Sequence, residues 1–375
     1  MMKKASIVIA LKHEKRESIE TTLRSIEKLN YPKDLMEIIL VYRRNDLETS
    51  RSVREVLSGI SRDIRVREFI IEREEGFKAS DINQAIREAE GEIIGFYDAD
   101  DIIEENQINK ALKMLEEGFS AVSARVYRYR PTILGRLLFM ETVIWYDLWI
   151  NIMSRLRIHT PLSGEGLYIR RDVIERLGGF PEILAEDSGL SILLAIRGLK
   201  YGYMNSYVEE LAPKNLRSFI GQRLRWYRGH LQALTLLLRS RVRPDVLFKV
   251  LASYTMIIIP TVLALLPVAV VGSSISSDLN GSSLDMLRRT NDIPRMLGIS
   301  SMNLVILLLI LYLGFISVSL ILLFKNHMKR KGFQESIKIA LLSLLLLPLY
   351  WLLLSITFAL SIFIPIKKWF KTDRR

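Results

Sequence analysis

The stretch Glu92-Ile93-Ile94-Gly95-Phe96-Tyr97-Asp98-Ala99-Asp100-Asp101 decides the fold. An apolar, partly β-branched and aromatic run passes without a break into a cluster of acids. Such a run suits a strand buried on both faces of a parallel sheet. In open α/β sheets, ligands bind at the carboxyl ends of strands. The acids at 98–101 therefore stand where a ligand would.

Upstream the pattern repeats. Ser6-Ile7-Val8-Ile9-Ala10 reads as a first strand, and Ile19, Leu23, Ile26 and Leu29 recur at helical spacing until Tyr31-Pro32 ends the helix. Ile38-Ile39-Leu40-Val41 gives a second strand and Arg65 to Ile71 a third, and Ser80 to Glu90 reads as a helix with Ser80 as its N-cap. Strands alternating with helices predict an α/β domain with a parallel sheet. Residues 1–215 are assigned to this domain.

The chain has 375 residues, enough for two or three domains, and its 49% hydrophobic content excludes disorder. The absence of cysteine excludes disulfides, thiolate metal sites and a cysteine nucleophile, and four scattered histidines argue against a histidine metal cluster. The apolar run Ala5 to Leu11 is short for a signal-peptide core, so no secretory signal is expected. A net charge of +12 fits either nucleic acid or an anionic membrane surface. The basic residues flank apolar segments, so the expected partner is membrane and not nucleic acid.

Three uncharged runs lie at 250–271, 302–324 and 339–366. A crossing helix needs about 20 apolar residues. Three spans within a membrane region at 246–375 are expected, the third interrupted by Pro348, with a hairpin in that last run as the alternative. Lys325, Lys329, Arg330 and Lys331 place the end of the second run in the cytoplasm, beside the α/β domain. Gly272 to Asn280 reads as an extracytoplasmic loop. Residues 133–158 are apolar but broken by Arg136, Glu141, Asp147 and Arg155; they fit an interfacial helix or, equally, a core helix.

Three constellations carry chemistry. Asp98 and Asp100 after a buried strand offer hard oxygen ligands for Mg²⁺ or Mn²⁺ shared with a diphosphate; the alternative is a solvated acidic turn. Glu186-Asp187 opens a helix-like run and offers a general base; the alternative is a helix start with acids in its first turn. Gln222-Arg223-Leu224-Arg225-Trp226 lies in a segment, 216–245, expected to form interfacial helices. Gln222 and Arg225 share a helix face, Arg offers a fork for phosphate and Trp a flat face for a sugar; the alternative is an interfacial anchor.

In this order the motifs resemble those of membrane-integrated family 2 glycosyltransferases with a GT-A fold. The similar branch is that of cellulose, chitin and hyaluronan synthases and ceramide glucosyltransferases. Asp98-Ala99-Asp100 matches its DxD motif, Glu186-Asp187 its (T/E)ED and Gln222 to Trp226 its (Q/R)xxRW. Gly76-Phe77-Lys78-Ala79, Ser163-Gly164-Glu165-Gly166 and Gly178-Gly179-Phe180-Pro181 add to the likeness. The resemblance covers residues 5–240. It implies a GT-A, Rossmann-like nucleotide-sugar domain followed by interfacial and transmembrane helices. It further implies an inverting, metal-dependent transfer from a nucleotide-diphosphate sugar to a lipid or lipid-linked acceptor. Asp187 would be the catalytic base, and Asp98 and Asp100 the metal ligands. Arg73, Lys78, Asp98, Gln222, Arg225 and Trp226 would bind the donor. Gly164, Glu165, Glu186 and Trp226 would form the acceptor site.

One position departs from the family pattern. Where the family carries an acid that reads the base, this chain has Tyr42 and Arg43. A UDP-sugar is the first donor expected and a GDP-sugar the second. Arg43 and Arg44 are read as a solvated turn, with phosphate contact as the alternative. A processive polysaccharide synthase and a catalytically silent membrane subunit are the competing functions.

Overall fold

The computed structural model describes residues 3–61, 63–255 and 301–363. An eight-stranded sheet has the order β3-β2-β1-β4-β7-β6-β8-β5. Strands β1 (Ala5–Ala10), β2 (Met36–Arg43), β3 (Arg65–Ile71) and β4 (Ile93–Tyr97) run parallel. All the residues of β1, β2 and β4 are buried, as their apolar runs require.

The second half of the sheet differs from the parallel expectation. β7 (Leu167–Arg170) inserts antiparallel between β4 and β6 (Ala121–Tyr129), and β8 (Tyr201–Leu211) pairs parallel with β6 and antiparallel with β5 (Ile102–Ile103). Because β6 and β7 are antiparallel neighbours, the long excursion between them leaves and re-enters the sheet at the same end, the carboxyl end of β4. Its helices leave the sheet faces and build a separate flank.

Helices α1 (Arg16–Glu27), α2 (Leu47–Leu57) and α4 (Gln107–Glu116) belong to one side of the sheet. α3 (Lys78–Glu88), α7 (Arg171–Leu177) and α8 (Glu186–Ile196) belong to the other. α3 begins two residues earlier than expected. Phe77, not Ser80, is its N-cap, and Ser80 is buried. The early start places Lys78 in the first turn, where its ammonium reaches Asp98 at 2.5 Å.

Residues 133–158 form α5 (Ile133–Val143), a π-helical turn (Ile144–Trp149) and α6 (Ile150–Arg155). Leu137, Leu138, Phe139, Met140 and Val143 are buried against two long helices, α10 (Ser301–Lys331) and α11 (Phe333–Phe363). The segment 216–245 holds one long helix, α9 (Leu216–Arg239), followed by helical residues at 244–255. Both α10, over Leu309–Lys331, and α11 are long and apolar enough to cross a membrane. Pro348 lies inside α11 without ending it. The run at 250–271 from residue 256 on, the loop at 272–280 and the basic residues after 363 lie outside the described residues.

Candidate active site

A cavity of about 230 Å³ opens at the carboxyl end of β4. Eight of the residues singled out from sequence line it together: Lys78, Asp98, Gly164, Glu165, Glu186, Asp187, Arg225 and Trp226. They come from five separate chain segments, joined by the topology of the sheet.

Asp98 follows β4 directly. Its backbone N–H donates to Asp101 Oδ2 at 2.9 Å, which closes the acidic turn. Asp100 takes φ +79°, a left-handed conformation that Asp tolerates better than most residues. It is buried, with its N–H on Ser18 O at 3.1 Å, and it does not line the cavity. Asp101 is fully buried, and burial together with Glu210 and Asp98 pushes its carboxyl well up.

Lys78 bridges two of the motifs, at 2.5 Å from Asp98 Oδ1 and 3.4 Å from Glu186 Oε1. Burial opposes its charge, but the two carboxylates outweigh it and raise its pKa. Asp187 sits in the first turn of α8. Its Oδ2 accepts from Gly164 N–H at 3.0 Å and its Oδ1 from Ser188 N–H at 2.7 Å. Burial, Glu186 and Glu165 raise its pKa to about 7, against the pull of the Ser188 hydrogen bond and Lys78.

Helix α9 contributes Arg223, Arg225, Trp226, Tyr227 and His230 to the cavity wall. Gly229 lets it approach closely, for a Cβ there would lie 2.5 Å from Ala185 N. Arg225 donates to Leu184 O at 3.5 Å, and among the described residues no carboxylate pairs with it. Its Nε is buried and lacks a hydrogen-bond partner among the described residues. Arg223 is clamped by Glu141 of α5 at 2.5 Å. The guanidinium carbons of Arg223 and Arg128 each stand 4.7 Å from the Trp226 ring centroid. Arg128 in turn pairs with Glu165 at 3.1 Å. His230 lines the cavity beside Ser188 Oγ at 3.0 Å, and burial and Arg223 lower its pKa to about 4.

Three expected residues stand elsewhere. Gln222 is buried on α9 and does not line the cavity. Arg73 pairs with Asp81 at 2.7 Å outside the cavity lining. Asp100 is buried within the acidic turn and outside the lining. The solvated-turn reading also fails for Arg43, which is buried and bidentate on Asp81 at 2.8 and 2.9 Å. Its fork also holds the carbonyls of Glu74 and Gly76, so it clamps the loop before α3. Arg44 is exposed, on Glu72.

Sequence reading missed Arg128, Glu141, Trp145, Trp149, Tyr203, His230, Trp351 and Leu354, all in the cavity wall. None belongs to a motif. Arg223 was inside a quoted motif but carried no role.

The donor set of the acidic turn is hard carboxylate oxygen, which suits Mg²⁺ or Mn²⁺. Among the described residues, no three His, Cys, Asp or Glu side chains form a cage that could hold a metal by themselves. Of the two acids expected to share the cation, only Asp98 lines the cavity.

Known proteins share this architecture. A mannosyltransferase from Pyrobaculum calidifontis, solved with GDP-Man and Mn²⁺, superposes with a TM-score of 0.62 at 19% identity, covering 97% of this chain and 87% of that one. A probable glycosyltransferase, YdaM, of Bacillus subtilis (strain 168) is 30% identical over 239 residues, 60% of this chain and 55% of that protein. The UDP-forming cellulose synthase catalytic subunit of Komagataeibacter sucrofermentans (strain ATCC 700178 / DSM 15973 / CECT 7291 / JCM 9730 / LMG 18788 / BPR 2001) is 28% identical over 165 residues, 41% of this chain and 22% of that protein. The chain spans about half the length of the first curated relatives it matches. The model of the glycosyltransferase-like family 2 matches residues 4–229, and with the GT-A sheet and the motif residues gathered at one cavity, the chain belongs to that family.

Proposed function

We propose that the chain is an inverting, metal-dependent glycosyltransferase acting at a membrane. It moves a sugar from a nucleoside-diphosphate donor to a lipid or lipid-linked acceptor on the cytoplasmic side. The observation that carries this reading is one cavity with an acid, Asp98, a carboxyl poised near neutrality, Asp187, and an arginine without a carboxylate partner among the described residues, Arg225.

In this reading Asp187 takes the proton of the acceptor hydroxyl. The acceptor oxygen bonds to the anomeric carbon as the bond from that carbon to the diphosphate breaks. A pKa near 7 keeps a large share of Asp187 ionised at neutral pH while leaving it basic enough to accept a proton. Arg225 and Lys78 offset charge on the departing nucleoside diphosphate. Asp98 and Asp100 would hold Mg²⁺ or Mn²⁺, which would supply further positive charge there. Trp226, steadied by Arg128 and Arg223, borders the acceptor with Gly164, Glu165 and Glu186.

The apolar wall formed by Ile144, Trp145, Trp149, Trp351 and Leu354 supports a lipid-bearing acceptor. The donor is a UDP- or GDP-sugar, the two nucleotides named with the relatives. The test is a screen of nucleotide sugars with protein in native membranes, reading nucleotide release and product lipids by mass spectrometry. Metal-dependent release with a new glycolipid is expected. Silence with every donor would overturn the reading and favour a subunit without activity.

A further inference from the structure

Helix α11 touches the catalytic domain along its whole length. Near its start, Glu335 pairs with Arg136 of α5 at 2.6 Å and accepts from Tyr129 at 2.8 Å. In its middle, Tyr350 donates to Glu141 of α5, the same carboxylate that holds Arg223 of α9. Near its end, the carbonyls of Ser361 and Ile362 accept from Arg228 of α9 at 3.5 and 3.2 Å. Between these points Trp351 and Leu354 form part of the cavity wall.

The first and last of these contacts lie about 39 Å apart along the axis at about 1.5 Å per residue. The hydrocarbon core of a bilayer is about 30 Å thick. A helix crossing with Glu335 at one lip would carry Ser361 past the other lip. There it could not meet Arg228 of α9, which packs on α8 of the catalytic domain on the first side. Nor do Arg136, Glu141, Arg223 and Arg228 suit successive depths of hydrocarbon.

The burial pattern agrees. Ser336, Ile339, Ser343, Leu347, Tyr350, Leu354, Thr357 and Ser361 are buried at steps of three or four, one stripe from end to end. The opposite stripe is exposed and, from Leu341 on, apolar, with Leu341, Leu345, Leu349, Ile356, Leu360 and Phe363; before it stand the exposed Gln334 and Lys338. No charge interrupts it between Leu341 and Phe363.

We propose that α11 does not cross the membrane but lies in its surface plane as a roof over the cavity. Its Leu341–Phe363 stripe sits in lipid and both its ends stay on the side of the catalytic domain. The occupant of the exposed stripe is the outer hydrocarbon of one bilayer leaflet, into which an in-plane helix sinks about 5–10 Å. The cavity wall at Trp351 and Leu354 thereby lies at the depth where a lipid head meets its chain. The proposal rests on the protein being membrane-bound and stands apart from whether it transfers sugar.

The chain has no cysteine, so one introduced thiol reports one position. Spin labels at Leu341→Cys, Leu349→Cys, Ile356→Cys and Phe363→Cys would be read in vesicles of phosphatidylcholine and phosphatidylglycerol. Each change is on the exposed stripe and leaves the packed face intact. The ratio of collisions with oxygen to collisions with a water-soluble nickel chelate gives depth. All four labels at one shallow depth is the expected result. A depth that passes through the bilayer centre and out again would overturn the proposal in favour of a crossing. Full access to nickel would overturn it in favour of water, and protection from both probes in favour of a second copy of the chain.

Discussion

Gly164 donates its backbone N–H to Oδ2 of Asp187 at 3.0 Å, across the mouth of the cavity. This bond fixes the direction of the carboxylate, while burial, Glu186 and Glu165 raise its pKa to about 7. As the base, Asp187 must be ionised, so kcat/KM should fall as pH drops through about 7. Glu186→Gln removes one of the raising charges and should move that acid limb to lower pH. Asp187→Asn should lower transfer by about 10²- to 10⁴-fold, with donor affinity near normal. A pH–rate series with a nucleotide-binding titration checks all three, and turnover retained in Asp187→Asn would reject the base. His230, lowered to about 4, is neutral throughout this window, so His230→Gln should leave the limb in place.

Asp100→Ala should weaken manganese-dependent donor binding, and chelation should stop transfer by the unaltered chain. The measurement is a manganese titration of donor binding by calorimetry. An unchanged manganese curve would remove Asp100 from the metal site, in line with its absence from the cavity lining.

Trp226→Ala should harm use of the acceptor more than hydrolysis of the donor. The ring is held by Arg128 and Arg223, and Arg223 by Glu141, which Tyr350 also contacts. Tyr350→Phe should therefore reproduce a weaker form of the same defect. Parallel assays of glycolipid product and free sugar separate the two effects; equal losses in both would mark Trp226 as packing alone.

Asp81→Asn should destabilise the fold. Asp81 is buried between Arg43 and Arg73, and Arg43 is itself buried. Removing one partner of a buried pair costs about 3–5 kcal/mol. Thermal or denaturant unfolding checks this, and an unshifted midpoint would mean that the pair adds nothing.

Gly229→Ala should push α9 off the turn before α8. The new methyl would meet Ala185 N and Cβ at 2.5 Å, and backbone cannot swing aside as a flexible side chain can. Overpacking of this kind costs about 1–3 kcal/mol. Because Ala185 leads into Glu186 and Asp187, transfer should fall more steeply than the melting temperature. The comparison of kcat with unfolding midpoints reads the difference.

The amino-acid order alone determined the strand–helix alternation up to Tyr97 and singled out Asp98, Asp187 and Arg225, which line one cavity. These depend on local periodicity and on residue type beside strand and helix ends, which short segments carry by themselves. Only the tertiary structure decided that Arg128, Glu141 and Trp351 share one wall with them, since contacts between distant segments follow the sheet order and leave no local pattern. It also decided which arginine was a clamp. Arg43 reads as a loop residue in the chain but finds Asp81 only when α3 packs beside β2. The length and hydropathy of α11 suit a crossing, yet its fixed contacts with Arg136 and Arg228 lie farther apart than the hydrocarbon core of a bilayer is thick. A run of apolar residues specifies that a helix seeks a nonpolar medium; its anchoring points specify the direction in which it lies.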